Sequence, residues 1–192
     1  MTDIKHDTIH GMKWSGIGSI ANTAVSFAMG IVLARLLSPT DFGIMGMTAI
    51  FFSISYIFID GGFSSALIRK QDLSDVDSST VFYFNIVVSC LFYGLLFFAA
   101  PYIAIFLNQP ILTPIIRVSG LPMVLGSLSS VHYSLMTKDV DFKHPALIKT
   151  IGNVVSGCLG IYLAYVGYGV WALVYQSLFS CVISVVFVWF IS

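Results

Sequence analysis

Arg35 and Arg117 are cations set at the edges of long apolar stretches, and Lys149 lies just inside the start of another. A guanidinium is planar, permanently charged and carries five donors, which suits phosphate oxygens. Two such groups near one end of a cavity would make an anion site. Each cation also has a plainer use. Arg35 can snorkel to lipid headgroups or pair with Asp41, Arg117 has the same choice, and Lys149 can follow the bias that keeps cations on one side of a membrane. Asp60 precedes Gly61-Gly62 and is the carboxylate nearest an apolar run. It can end its helix and contact Arg69-Lys70, or it can hold a proton or sodium ion. Asn22, Asn85 and Gln176 offer uncharged polar groups within apolar stretches, either as interhelical hydrogen-bonding glue or as ligands facing a cavity.

Other chemistry is poorly provided for. The chain contains no glutamate and no paired carboxylates within its apolar runs, and His132 stands alone, so hydrolysis and group transfer have no acid–base apparatus. Asp72, Asp75 and Asp77 lack the glycine and terminal glutamate of a calcium loop, and suit the start of a helix instead. Asp139, Asp141 and His144 alternate with Lys138 and Lys143 and read as a solvated loop. No metal or cofactor is expected. Cys90, Cys158 and Cys181 lack metal-ligand spacing and read as small hydrophobes. The few basic residues are scattered, which argues against nucleic acid as a partner.

The elements that must carry these residues are membrane helices. With 57% hydrophobic and 9% charged residues and a mean hydropathy of +0.93, the chain lies far outside the range of a soluble domain. Six segments reach the roughly 20 residues needed to cross about 30 Å of hydrocarbon. They run near Trp14–Leu37, Pro39–Ile59, Thr80–Leu107, Pro114–Met136, Ala146–Val166 and Val170–Ile191, so residues 1–13 form an amino-terminal segment and 14–192 one six-span, all-α lobe. Pro101 is placed to end the third span early, leaving Tyr102–Leu107 as an interfacial turn, and Pro122 to kink the fourth. Alternating spans put Lys5, Lys13, Arg69, Lys70, Lys138, Lys143 and Lys149 on one side and only Arg35 and Arg117 on the other. Cations are retained in the cytoplasm, so the amino terminus is expected there.

Local chemistry marks the connections. In Ser38-Pro39-Thr40-Asp41, Ser38 can cap, Pro39 fits the first helical position and Asp41 can return a hydrogen bond, with Leu37 and Phe42 as the ends of a hydrophobic staple. Gly167-Tyr168-Gly169 reads as a tight turn and Trp171 as an interfacial anchor. Gly18, Asn22, Ser26, Gly30 and Ala34 follow one another at steps of four, and Gly152, Ser156 and Gly160 repeat the pattern beside Asn153. Such stripes let helices approach closely, or line a hydrated cavity.

The stretches VLARLLSPTDFGIMGM (32–47), FIDGGFSSALIRKQDLS (58–74), STVFYFNIVVS (79–89) and GYGVWALVYQS (167–177) carry a family resemblance. From about Ile17 onward the chain resembles the amino-terminal half of a Wzx-type polysaccharide exporter, a group that includes O-antigen, capsule and teichoic-acid flippases. The group belongs to the superfamily of the MATE transporters and the lipid II flippase. The resemblance implies a MATE-like fold in a bacterial inner membrane, working by alternating access between two six-helix lobes. It implies as substrate an undecaprenyl-diphosphate-linked oligosaccharide, whose diphosphate Arg35, Arg117 and Lys149 would meet, with Asp60 as a coupling-ion candidate and Asn22, Asn85 and Gln176 lining the cavity. Membrane lipid and polysaccharide assembly proteins are the implied partners. Such exporters have twelve or more helices, so the six spans here correspond to one lobe and the chain reads as a fragment. The competing readings are a MATE-type multidrug or cation-coupled exporter, a membrane polymerase of polysaccharide, and a non-transporting membrane subunit.

Overall fold

The computed structural model describes residues 19–20, 22–60, 75–138 and 143–191, with side chains over the same ranges except at 60, 75–79, 130–147, 149 and 191. Among the described residues every regular element is an α-helix: α1 (Asn22–Leu36), α2 (Pro39–Asp60), α3 (Asp75–Phe106), α4 (Leu112–Ser119), α5 (Leu121–Lys138), α6 (Lys143–Val166) and α7 (Val170–Ile191). Four stretches are long and apolar enough to cross a membrane, namely Pro39–Ile59, Thr80–Phe106, Leu112–Ser129 and Val170–Phe190. α1 and the stretch Thr150–Val166 of α6 are apolar but shorter. Large apolar side chains such as Phe27, Ile57, Phe98, Tyr102, Phe106 and Phe190 stand exposed along the helices. A water-facing surface does not carry contiguous apolar area on this scale, whereas lipid is a good solvent for it. This is a multi-pass helical membrane protein.

Packing is organised around α7. It lies along α6, to which a short turn joins it, and also meets α5, α4 and α2, while α3 packs on α5 and α4. The larger core joins Ile44 and Ile59 of α2, Leu96, Ala100 and Ala104 of α3, Leu112, Ile115 and Ile116 of α4, Met123 of α5, and Val170 and Val174 of α7. A second, smaller cluster places Leu33 and Leu37 beside Ala164 and Ala172, which fastens the end of α1 to α6 and α7.

The connections follow from local chemistry. At the α1–α2 corner the Ser38 N–H and hydroxyl donate to Asp41 Oδ2 at 3.0 and 2.7 Å, and the Asp41 N–H donates back to Ser38 Oγ at 3.3 Å. This is the reciprocal capping box that the sequence calls for. The staple is only half made, since Leu37 is buried and Phe42 is exposed. Between α6 and α7, Gly167 and Gly169 take positive φ of 94° and 56°. The N–H groups of Gly167 and Tyr168 turn back to the carbonyls of Ala164 and Leu163, so the turn closes with its backbone satisfied. Asn108 performs the same office after α3, with φ of 52°, an angle that asparagine tolerates better than most residues.

Of the two helices with a proline placed to interrupt them, one departs from the expectation and the other follows it. α3 does not stop at Pro101 but continues to Phe106. The fourth apolar stretch begins at Leu112 and is interrupted at Gly120, dividing it into α4 and α5. The interruption lies where Pro122, lacking an N–H, cannot bond the Val118 carbonyl. Gly120 itself keeps right-handed helical angles (φ −78°, ψ −20°), its N–H reaching Ile116 O at 3.0 Å. The Met123 N–H then closes on the Gly120 carbonyl at 3.1 Å, so the break is a local tightening of the helix rather than a loop.

Candidate functional site

Pro101 removes one hydrogen bond from α3, the one that the Phe97 carbonyl would accept four residues earlier. Arg117 of α4 supplies a substitute: its Nε–H donates to Phe97 O at 3.4 Å, and its guanidinium carbon lies 4.3 Å from the centroid of the Phe97 ring. Nearby, the Tyr93 hydroxyl donates to the Arg117 carbonyl at 3.2 Å. The Tyr93 ring packs edge-on to Phe97, with centroids 6.0 Å apart. A Cβ added at Gly120 would come within 2.6 Å of that same Tyr93 ring, so glycine is what lets the α4–α5 break approach α3 so closely. Arg117 is half-buried, and among the described residues its two terminal Nη groups carry no hydrogen bond. Those groups are the donors left for an anion.

Phe97 lies about 14 Å along α3 from its end at Phe106, at about 1.5 Å per residue. Arg117 therefore sits well down the bundle rather than at its rim. Above it, on the same side of α4 one turn earlier, Thr113 borders an open cleft of about 410 Å³ together with Pro101, Ala104, Ile105, Asn108 and Pro110. The lining is apolar apart from Asn108 and Thr113, so this cleft offers hydrogen bonds but no charge.

Arg35 is placed differently. It occupies the last turn of α1 and is exposed, and among the described residues it has no hydrogen-bond or ion-pair partner. The pairing with Asp41 weighed from the sequence does not form, because that carboxylate is taken up by Ser38. Among the described residues no direct contact joins Arg35 to Arg117: α1 rests on α6 and α7, whereas Arg117 is fixed to α3. Lys149 lies in α6 and Asp60 at the end of α2, but their side chains fall outside the described residues, as do the acidic cluster before α3 and the one before α6.

Several polar residues within the helices make contacts between them. Asn153 of α6 donates its amide to Asn22 Oδ1 at 2.9 Å and to Ser26 Oγ at 2.6 Å, joining α1 to α6. Gly157, a turn along, leaves room for Met29, with which a Cβ would overlap. Gly152 faces Ser184 and Gly160 faces Gln176, whose Oε1 would be 2.8 Å from a Cβ on Gly160. Asn22, Ser26, Gly152 and Gly160 thus lie on contact faces, whereas a Cβ added at Gly30 would meet nothing within 4 Å. Asn85 is buried, 3% exposed, and Ser89 of α3 donates to Ser127 of α5 at 3.0 Å. Among the described residues no group of three metal-ligating side chains is brought together.

Tyr93 and Phe97 were not singled out from the sequence. A signal for Phe97 exists, because any residue four before a helical proline has an orphaned carbonyl. The donor that fills it comes from a distant segment and leaves no such trace.

Comparison with known proteins gives a consistent picture. A family model described as "Polysaccharide biosynthesis protein" matches residues 32–192. The chain is 24% identical over 147 residues to the lipopolysaccharide biosynthesis protein WzxC of Escherichia coli, covering 77% of this chain and 30% of that protein. It is 26% identical over 171 residues to the succinoglycan biosynthesis transport protein ExoT of Rhizobium meliloti, covering 88% and 34% respectively. It is also 26% identical over 156 residues to the teichuronic acid biosynthesis protein TuaB of Bacillus subtilis, covering 81% and 32%. The chain spans about a third of the length of these curated relatives. No solved structure matches.

Proposed function

This chain belongs to the polysaccharide biosynthesis protein family, and from that premise we propose that it forms one helical lobe of an exporter that moves an undecaprenyl-diphosphate-linked oligosaccharide across a bacterial inner membrane. The lobe would be half of a MATE-like pair that rocks about a hydrated cavity, with the amino terminus in the cytoplasm. Arg35 and Arg117 hold the diphosphate while the prenyl tail stays in lipid, and Lys149 meets it on the cytoplasmic side. Asp60 is the coupling-ion candidate, and polysaccharide assembly proteins are the partners.

The observation that carries the reading is the state of the two arginines. An intramembrane cation is costly unless it is neutralised or used. Arg35 is exposed without a described partner, and Arg117 keeps its Nη groups open although its Nε is engaged. Both can therefore donate to phosphate oxygens without first breaking an ion pair to a described residue. The relatives named for lipopolysaccharide, succinoglycan and teichuronic acid differ in glycan, which favours recognition of a shared anionic carrier over recognition of any one sugar.

The test is complementation of a flippase-null strain by the full chain carrying Arg35→Ala, with expression and membrane insertion monitored. Glycan display should fall severely. Unchanged display rejects Arg35 as part of the anion site. Purified protein should bind prenyl diphosphate in preference to organic cations; the reverse preference supports the multidrug reading instead.

A further inference from the structure

Helix α3 contains a gap that its own backbone cannot close. Pro101 has no N–H for the Phe97 carbonyl, and in the middle of an apolar bundle, where water is scarce, an orphan carbonyl is expensive to leave unpaired. The helix nevertheless runs on to Phe106. We infer that Arg117 is a positioning residue whose Nε–H takes the place of the hydrogen bond Pro101 removes, and so helps carry α3 unbroken past Pro101. This role is separate from, and additional to, any contact of Arg117 with an anion.

The geometry supports a fixed clasp rather than a passing contact. The donor is held by the Phe97 carbonyl at 3.4 Å and by the ring of the same residue under the guanidinium at 4.3 Å. A planar guanidinium can satisfy both at once, and an ammonium on a flexible stem cannot do so as well. Tyr93, one turn earlier on α3, returns the tie by donating to the Arg117 carbonyl and by packing on Gly120. Two helix interruptions, at Pro101 in α3 and at Gly120 between α4 and α5, are thereby bound side by side.

The experiment compares the full chain in detergent as wild type, Arg117→Ala, Pro101→Ala and the double variant. Arg117→Ala should lower the thermal midpoint by about 5 °C and speed amide exchange around residues 97–104 by about tenfold. In the Pro101→Ala background, where the Phe97 carbonyl regains a donor within its own helix and only the ring contact is left to lose, the same substitution should shift the midpoint by about 3 °C and leave exchange unchanged. Equal losses in both backgrounds overturn the inference. Should Arg117→Ala fail to fold beside Pro101, Arg117→Gln replaces it in both backgrounds. A double variant that is stable yet exports nothing leaves the clasp standing and assigns the loss to the anion role; failed rescue of stability, whatever the export, rejects the clasp alone.

Discussion

Arg117 and Phe97 meet twice, through a hydrogen bond from Nε–H to the Phe97 carbonyl and through the face of the Phe97 ring. Together these contacts place a cation inside an apolar bundle without a carboxylate partner among the described residues. The charge is met by a carbonyl dipole and an aromatic quadrupole, both of which compensate it without neutralising it. The positive potential of the group therefore remains available to an anion that approaches from the Nη side.

Phe97→Leu keeps the backbone carbonyl and removes the ring, so it isolates the second of the two contacts. Stability in detergent should fall by about 1 kcal/mol, within the range of a partly desolvated cation–π pair plus a small packing change. In an Arg117→Ala background the same substitution should cost distinctly less. Additive losses, measured by thermal or denaturant unfolding, would show that the ring matters only as core.

The amide bridge between α1 and α6 gives a second expectation. Asn153 donates to both Asn22 and Ser26, so Asn153→Ala and Asn22→Ala should each destabilise by about 1 kcal/mol, as is common for polar contacts between membrane helices. The double substitution should cost clearly less than the sum of the two, because they remove the same bond. If Asn22→Ala abolished export while leaving stability and the coupling energy untouched, Asn22 would be a cavity ligand and not glue.

What could be read in the sequence was set by range. The capping box at Ser38 and Asp41 and the Gly167–Gly169 turn depend on residues no more than five apart, and their chemistry is written locally. Pro122 similarly announces a break near Gly120. Pro101 announces one too, yet the break does not occur, since the repairing donor lies on another helix. Interhelical partners are hidden for a related reason: the long helices are apolar on nearly every side, so no amphipathic stripe tells their buried face from the lipid-facing one, whereas the short α4 is amphipathic and buries Leu112, Ile115 and Ile116. The step-of-four stripe identified Asn22 and Ser26 as one face but not Asn153 as its partner, and Arg35 looked suited to Asp41 until the corner geometry assigned that carboxylate to Ser38.

At the corner, Asp41→Ala should cost about 1 kcal/mol through the lost cap. Gly169→Ala should cost more, since its φ of 56° disfavours a side chain and the new Cβ would lie 3.2 Å from Asp41 Oδ1. Unfolding in detergent measures both. A Gly169→Ala variant as stable as wild type would mean that the α6–α7 turn does not hold this conformation against Asp41.

The same proximity makes a prediction about sidedness. Asp41 Oδ1 lies close to Gly169, so the α1–α2 corner and the α6–α7 turn must open on one face of the membrane. Single cysteines at Thr40 and Tyr168, both exposed, introduced after Cys90, Cys158 and Cys181 are replaced by alanine, should therefore label together with an impermeant thiol reagent. The bias of cations toward the opposite ends of these helices predicts that this face lies outside the cell. Labelling of both positions in intact cells is the expected result. Labelling of both only after permeabilisation would invert the protein and put Arg35 at the cytoplasmic surface, where it would meet substrate on arrival instead of on release. Labelling from opposite sides would contradict the packing of Asp41 on Gly169, and with it the path by which α1 reaches α6 and α7.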